Sequence, residues 1–203
     1  MLSKSYKYSV VFWYLKDKVK NMLEKRIESY YRELQENIKQ LDQNKILKIC
    51  RFLRKKILDK RKIFVCGNGG SAAISAHFET DLNQNLKRRN KRLKARVISL
   101  SNSSSMITAI ANDVSFEKVF ERQLDNLYDK NDCLIIFSCS GTSKNIVNIC
   151  KFAKQKKLDV ISIVGCNNQS IKKYCKHHVS IKSKNYGVLE DIFQSIMHVI
   201  LEI

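Results

Sequence analysis

Between Met22 and about Lys60, apolar residues recur at steps of three and four. In "MLEKRIESYYRELQENIKQL", Leu23, Ile27, Tyr30, Leu34, Ile38 and Leu41 fall on one stripe, with charged and amide side chains between them. That period predicts an amphipathic helix. A second helix follows in "NKILKICRFLRKKIL", with Ile46, Ile49, Phe52 and Leu53 on one side. After Lys60 short continuous apolar runs alternate with helical segments. The runs predict strands at 62–66, 96–100, 133–137, 158–164 and 178–182, and the segments predict helices at 71–83, 104–111, 116–128, 143–156, 168–175 and 187–202. Buried β-type runs separated by helices specify a parallel sheet covered on both faces. The expected fold is α/β, a three-layer doubly wound parallel five-stranded sheet with N-terminal helices. Residues 1–21 form an N-terminal extension in this division, 22–60 a helical pair and 61–203 the α/β core of a single domain over 22–203.

In open sheets of this kind ligands bind beyond the carboxyl ends of the strands, and two unusual turns fall at that edge. "GNGGS", directly after Cys66, holds three of the chain's six glycines and opens an Ala-rich helix. Its backbone can approach a ligand closely, and the first N–H groups of the helix point back at it. "SCSGTS", after Phe137, sets four hydroxyls and Gly141 before the next helix. Hydroxyls and backbone N–H groups can wrap a phosphate without a lysine. Each turn alone reads equally well as a tight βα turn or an N-cap. Neither is a G-x-G-x-x-G dinucleotide fingerprint or a Walker loop.

Composition narrows the partners. Thirty-eight Lys and Arg against 19 Asp and Glu give a formal charge of +19. The densest basic clusters, 51–62 and 87–96, lack the interleaved aromatics on which single-stranded nucleic acid stacks. The charge therefore reads as a Lys-rich solvated surface, favourable to an anionic substrate, with nucleic acid not expected as a partner. No stretch approaches the roughly 18 apolar residues of a membrane span, and "YSVVFWYL" at 8–15 has no cleavage site after it. Seven cysteines without C-x-x-C spacing point to reduced thiols and a cytoplasmic location, with Cys66, Cys133 and Cys166 as small core hydrophobes. His177 and His178, beside Lys176, read as exposed surface.

Four stretches in order, "GNGGSAAISAHF", "ITAIANDVSFEKVFERQL", "DCLIIFSCSGTSKNIV" and "LEDIFQSIMH", resemble the sugar isomerase (SIS) domain family, and within it the phosphoheptose isomerases. The resemblance runs from about Met22 to the end. It implies aldose–ketose isomerisation of sedoheptulose 7-phosphate to D-glycero-D-manno-heptose 7-phosphate, a cytoplasmic step toward lipopolysaccharide or capsule heptose. It also implies a homotetramer with sites at subunit interfaces. Carried over by residue, it assigns the phosphate loop to Ser138, Cys139, Ser140 and Ser143, with Ser71 from the first turn. Asn68, Gly69, Gly70, Asp113 and Glu190 join the substrate-binding set. The catalytic positions fall on Asp81 and His198. His77, Asp81, Glu190 and His198 would hold zinc or a similar divalent ion, one per chain. Cys139 stands where the family has threonine, Asp81 where it has glutamate, and Glu190 where it has glutamine. The alternatives are a noncatalytic SIS protein that binds a phosphosugar or associates with a replication initiator, and an isomerase of another surface-glycan phosphosugar.

The residues themselves bear on this. His77 and Asp81 are four apart on a helix and share a face, so they can converge on one ion. His198 lies within an apolar stripe, where a satisfied core histidine is also common. Glu190 and His198 are separated by about 12 Å along a helix axis at 1.5 Å per residue, so only reaching side chains could bring both to one ion. A carboxylate and a histidine are a competent acid–base pair near neutral pH. Aspartate shortens the family's reach by about 1.5 Å, and misplacement of about 1 Å can cost around a hundredfold in rate. Asp81 then acts mainly as a ligand, or the substrate sits differently.

Overall fold

The computed structural model describes residues 4–89, 93–165 and 170–202. Two helices lead, α1 (Lys4–Lys39) and α2 (Gln43–Leu58). Five strands follow, β1 (Ile63–Cys66), β2 (Val97–Ser99), β3 (Cys133–Ser138), β4 (Asp159–Gly165) and β5 (His177–Ile181). Between and after them run α3 (Gly70–Arg89), α4 (Ser104–Asp113), α5 (Val119–Leu127), α6 (Lys144–Gln155) and α7 (Tyr186–Ile200). All strands pair in parallel in the order β2-β1-β3-β4-β5.

The pleat explains the three layers. Ile63 and Val65 of β1, with Cys133, Ile135 and Phe137 of β3, pack on one face against α2, α3 and α7. Phe64 and Cys66, with Leu134 and Ile136, pack on the other against α5 and α6. Alternate side chains thus meet opposite helical layers, and these central strands are apolar up to Ser138, at the carboxyl end of β3, because both faces are buried. The chain leaves β1 for β2 on one side and returns to β3 on the other. The switch point therefore lies between β1 and β3, outside their carboxyl ends, where such sheets form a crevice.

Several expectations are corrected. The predicted start at Met22 lies inside α1, whose backbone begins at Lys4. Of the predicted stripe, Tyr30, Leu34 and Leu41 pack against the core, while Leu23, Ile27 and Ile38 are exposed. The predicted helix 116–128 opens as a 3-10 turn, Phe116–Lys118. That predicted at 168–175 contains a 3-10 turn at Lys172–Tyr174, its first residues lying outside those described. His177 and His178 are half-buried members of β5 rather than exposed surface. Register sets His178 beside Ser162 of β4, with Nδ1 at 2.7 Å from Ser162 Oγ, and the His177 ring packs 5.2 Å from that of Phe52. Burial, assisted by Lys176, lowers the pKa of His177. Cys66 and Cys133 are fully buried free thiols, as expected of small hydrophobes, and burial pushes the Cys133 thiol up to about 12. Cys166 lies outside the described residues. Among the described residues no helix is long and apolar enough to cross a membrane.

Candidate active site

Strand β1 delivers the chain into the first glycine turn. The Ser101 hydroxyl, from the loop after β2, holds it by accepting from Gly67 N–H at 3.2 Å and donating to Gly67 C=O at 2.9 Å. Gly69 takes φ +56°, a left-handed conformation suited to glycine. Gly70 opens α3, and a Cβ there would lie 2.3 Å from the Glu190 carboxylate, so the absence of a side chain admits α7 to this edge. In the second turn, Gly141 (φ +64°) donates its N–H to Ser138 Oγ at 3.0 Å, and Thr142 N–H donates to Ser140 Oγ at 3.3 Å. Ser143 occupies the N-cap position of α6 but makes no side-chain capping bond, so its hydroxyl does not do what a cap alone would require.

A reciprocal amide pair ties the turns together. Asn68 Nδ2 donates to Asn145 Oδ1 at 3.0 Å, and Asn145 Nδ2 donates to Asn68 Oδ1 at 2.9 Å. Between the turns lies a cleft of about 290 Å³. Asn68, Gly69, Gly70 and Ser71 line it from the first turn, and Ser138, Cys139, Ser140 and Ser143 from the second. Tyr186 and Glu190 complete the lining from α7, with Cys139 Sγ 3.8 Å from Glu190 Oε1. The first turns of α3 and α6 line this cleft, and the positive end of each helix dipole favours an anion there. Sequence reasoning reached eight of these lining residues through the turns and Glu190 through resemblance, but it missed Tyr186, Asn145 and Ser101. The missed residues sit in ordinary helix-start and loop sequence and gain their role only from the strand order.

A second group forms farther along α3 and α7. His77 Nε2 lies 3.1 Å from Asp81 Oδ2, as the four-residue spacing predicts. The rings of His77 and His198 meet edge to face, centroids 5.4 Å apart. One ligand atom from each of His77, Asp81 and His198 lies within 4.8 Å of the others. Two imidazole nitrogens and a carboxylate oxygen form a donor set that suits zinc and similar divalent ions. Glu190, expected here as well, is not among them; it lies at the cleft, against Gly70. Gln194, one turn beyond Glu190, sits instead between the two rings, its Nε2 2.7 Å from His77 Nδ1 and 3.1 Å from His198 Nε2. Asp113 is exposed at the end of α4, bonded by Asn112 Nδ2 at 2.8 Å, and does not line the cleft.

Contacts of Gly70 with Glu190 and of His77 with Gln194 show α3 and α7 running side by side in the same direction. Helix α1 fixes the start of α7. Tyr30 OH donates to Asp191 Oδ2 at 2.6 Å, and Ser183 Oγ to Glu33 Oε1 at 2.6 Å. The bond to Asp191, with some burial, pushes the Tyr30 phenol up to about 12.

Comparison with known proteins gives this arrangement its family. The SIS domain family matches residues 28–165. A phosphoheptose isomerase of Campylobacter jejuni is 32% identical over 183 residues, 90% of this chain and 96% of its own length. One from Helicobacter pylori is 36% identical over 141 residues, 70% of this chain and 72% of its own. The fold is that of the phosphoheptose isomerase from Neisseria gonorrhoeae, with a TM-score of 0.80 at 24% identity over 91% of this chain and 97% of that one. The chain belongs to the SIS-domain family, among the phosphoheptose isomerases.

Proposed function

We propose that this chain isomerises sedoheptulose 7-phosphate to D-glycero-D-manno-heptose 7-phosphate, with the phosphate on the two turns and the reacting carbons at the His77–Asp81–His198 group. One spacing carries the reading. Glu190 in the cleft and His198 in the group are about 12 Å apart along α7, and Gly70 and His77 mark corresponding levels on α3. An extended, phosphorylated seven-carbon chain covers such an interval. The relatives' shared name supports the same substrate class.

In this reading the N–H groups that open α3 and α6, with the hydroxyls of Ser71, Ser140 and Ser143, hold the phosphate. Asn68 and Glu190 meet sugar hydroxyls. Asp81 takes a proton from C1, and the C–H electron pair becomes the C1–C2 double bond of an enediol. Return of that proton to C2 completes the aldose, while His198 moves a proton from the C1 oxygen to the C2 oxygen. Asp81 meets His77 through Oδ2, which leaves Oδ1 for the proton. His77, Asp81 and His198 would hold one divalent ion per chain, in our reading zinc, which supplies Lewis-acid polarisation of the carbonyl when bound. The enzyme is cytoplasmic in this reading and works as a homotetramer; exposed Leu23 and Ile27 on α1 support self-association.

The test is incubation of zinc-loaded protein with sedoheptulose 7-phosphate in deuterium oxide. Aldose carrying deuterium at C2 is expected by NMR. No conversion of this or any other ketose or aldose phosphate would sink the proposal.

A further inference from the structure

We infer that Gln194, and not Glu190, supplies the fourth ligand to the ion held by His77, Asp81 and His198. The inference rests on the metal-assisted reading above and changes which residue of α7 serves it. Glu190 is committed elsewhere: its carboxylate packs so tightly on Gly70 that a methyl group would not fit, and it faces the Cys139 thiol. Gln194 lies one turn on, at the level of the histidines. Its terminal amide stands 2.7 Å from His77 Nδ1 and 3.1 Å from His198 Nε2, while the other His77 nitrogen meets Asp81 at 3.1 Å. With its NH₂ end turned inward, the amide donates to both imidazole lone pairs. Two lone pairs aimed at one point serve a cation as well as they serve an NH₂ group. A half-turn about the last side-chain bond exchanges amide nitrogen for oxygen with no change of shape. The same half-turn of the His77 ring sets Nε2 where Cε1 stands, between Gln194 and Asp81, so that one ion meets the amide oxygen, both imidazoles and the Asp81 carboxylate. The donor set becomes two imidazoles, one carboxylate and one neutral amide, and Glu190 keeps its charge for the substrate.

Metal affinity without substrate tests this, by competition of Zn²⁺ with a chromogenic chelator and by the visible spectrum of the Co²⁺-loaded protein. Gln194→Met keeps the length but not the oxygen, and Gln194→Asn withdraws the oxygen by one methylene. Each should weaken Zn²⁺ binding at least as much as loss of a residue that orients a ligand, about 10–100-fold, and shift the Co²⁺ bands. Glu190→Gln should leave affinity within about twofold and raise KM for the phosphosugar instead. The asparagine variant decides the matter if the methionine variant does not fold. Wild-type affinity and spectrum in a folded Gln194 variant, or a loss with Glu190→Gln as large as with Gln194→Met, overturns the assignment. Absence of turnover on every phosphosugar, with metal affinity still governed by Gln194, sinks the isomerase reading and leaves this one standing.

Discussion

A hydroxyl is the smallest unit on which the proposed chemistry turns. Ser143 makes no capping bond to α6, and Ser140 lines the same cleft. Removing either by alanine deletes a donor to phosphate oxygens, a contact of about 1.5–3 kcal/mol when the acceptor is charged. KM should rise by about ten- to a hundredfold with the protein still folded, and steady-state kinetics on the ketose phosphate reads it. Asp81 carries a second prediction. Asp81→Asn keeps the shape and a weak oxygen ligand but cannot take a proton, so it should retain some metal and lose kcat by orders of magnitude. Asp81→Glu restores the reach seen in the resembling family; if it raises turnover of sedoheptulose 7-phosphate, the shorter acid marks drift toward another substrate. At this scale the sequence was informative where spacing is local. His77 and Asp81 meet because four residues make one helical turn, and the two turns announce themselves by glycine and hydroxyl content. Gln194 was not legible. Beside Phe193 it reads as ordinary helix surface, and its partner His77 is 117 residues away.

Elements were legible wherever burial forces a pattern. Each of the five strands was expected within two residues at either end, the central pair because a strand buried on both faces is a nearly unbroken apolar run, the others from shorter β-branched runs bounded by polar residues. The region predicted as helix at 168–175 failed for the complementary reason: a 3-10 turn of three residues is too short to set a period. Helix α1 was legible as a helix but not in its docking, which depends on Tyr30 reaching Asp191 and Glu33 receiving Ser183. That docking has a pH signature. The Tyr30 phenol is raised by its bond to Asp191, so the protonated form is favoured in the folded state. Its contribution is complete below the ordinary tyrosine pKa near 10 and is lost as pH rises toward about 12. Wild-type stability should therefore fall more steeply than that of Tyr30→Phe across that interval, in denaturant melts at matched ionic strength. Parallel slopes would remove the bond from any role in holding α1 to α7.

For the whole molecule the sequence established the layers but not the crevice. The crevice comes from the strand order, with β1 between β2 and β3, and no local pattern encodes order. The outer surface of the same molecule carries a further expectation. Leu23 and Ile27 are 48% and 57% exposed on α1, and Val199 is 49% exposed beside His198 on α7. A soluble monomer rarely leaves such neighbours on a helix uncovered without use. Light scattering should find the protein self-associated, and a Leu23→Lys/Ile27→Lys double variant should shift it toward monomer. A monomeric wild type would remove α1 from the assembly.

The amide pair that joins the two turns also sets a clock. Asn68 precedes Gly69, and an asparagine before glycine is the dipeptide whose side chain is most readily attacked by the next backbone nitrogen, through a cyclic imide, with release of ammonia. Here the amide at risk is the one held by Asn145. Its loss would set a carboxylate against the Asn145 carbonyl oxygen, opening the seam between the turns and adding negative charge where an anion must bind. Stored protein should therefore age first at this residue, and substrate should slow the ageing by keeping the turns closed.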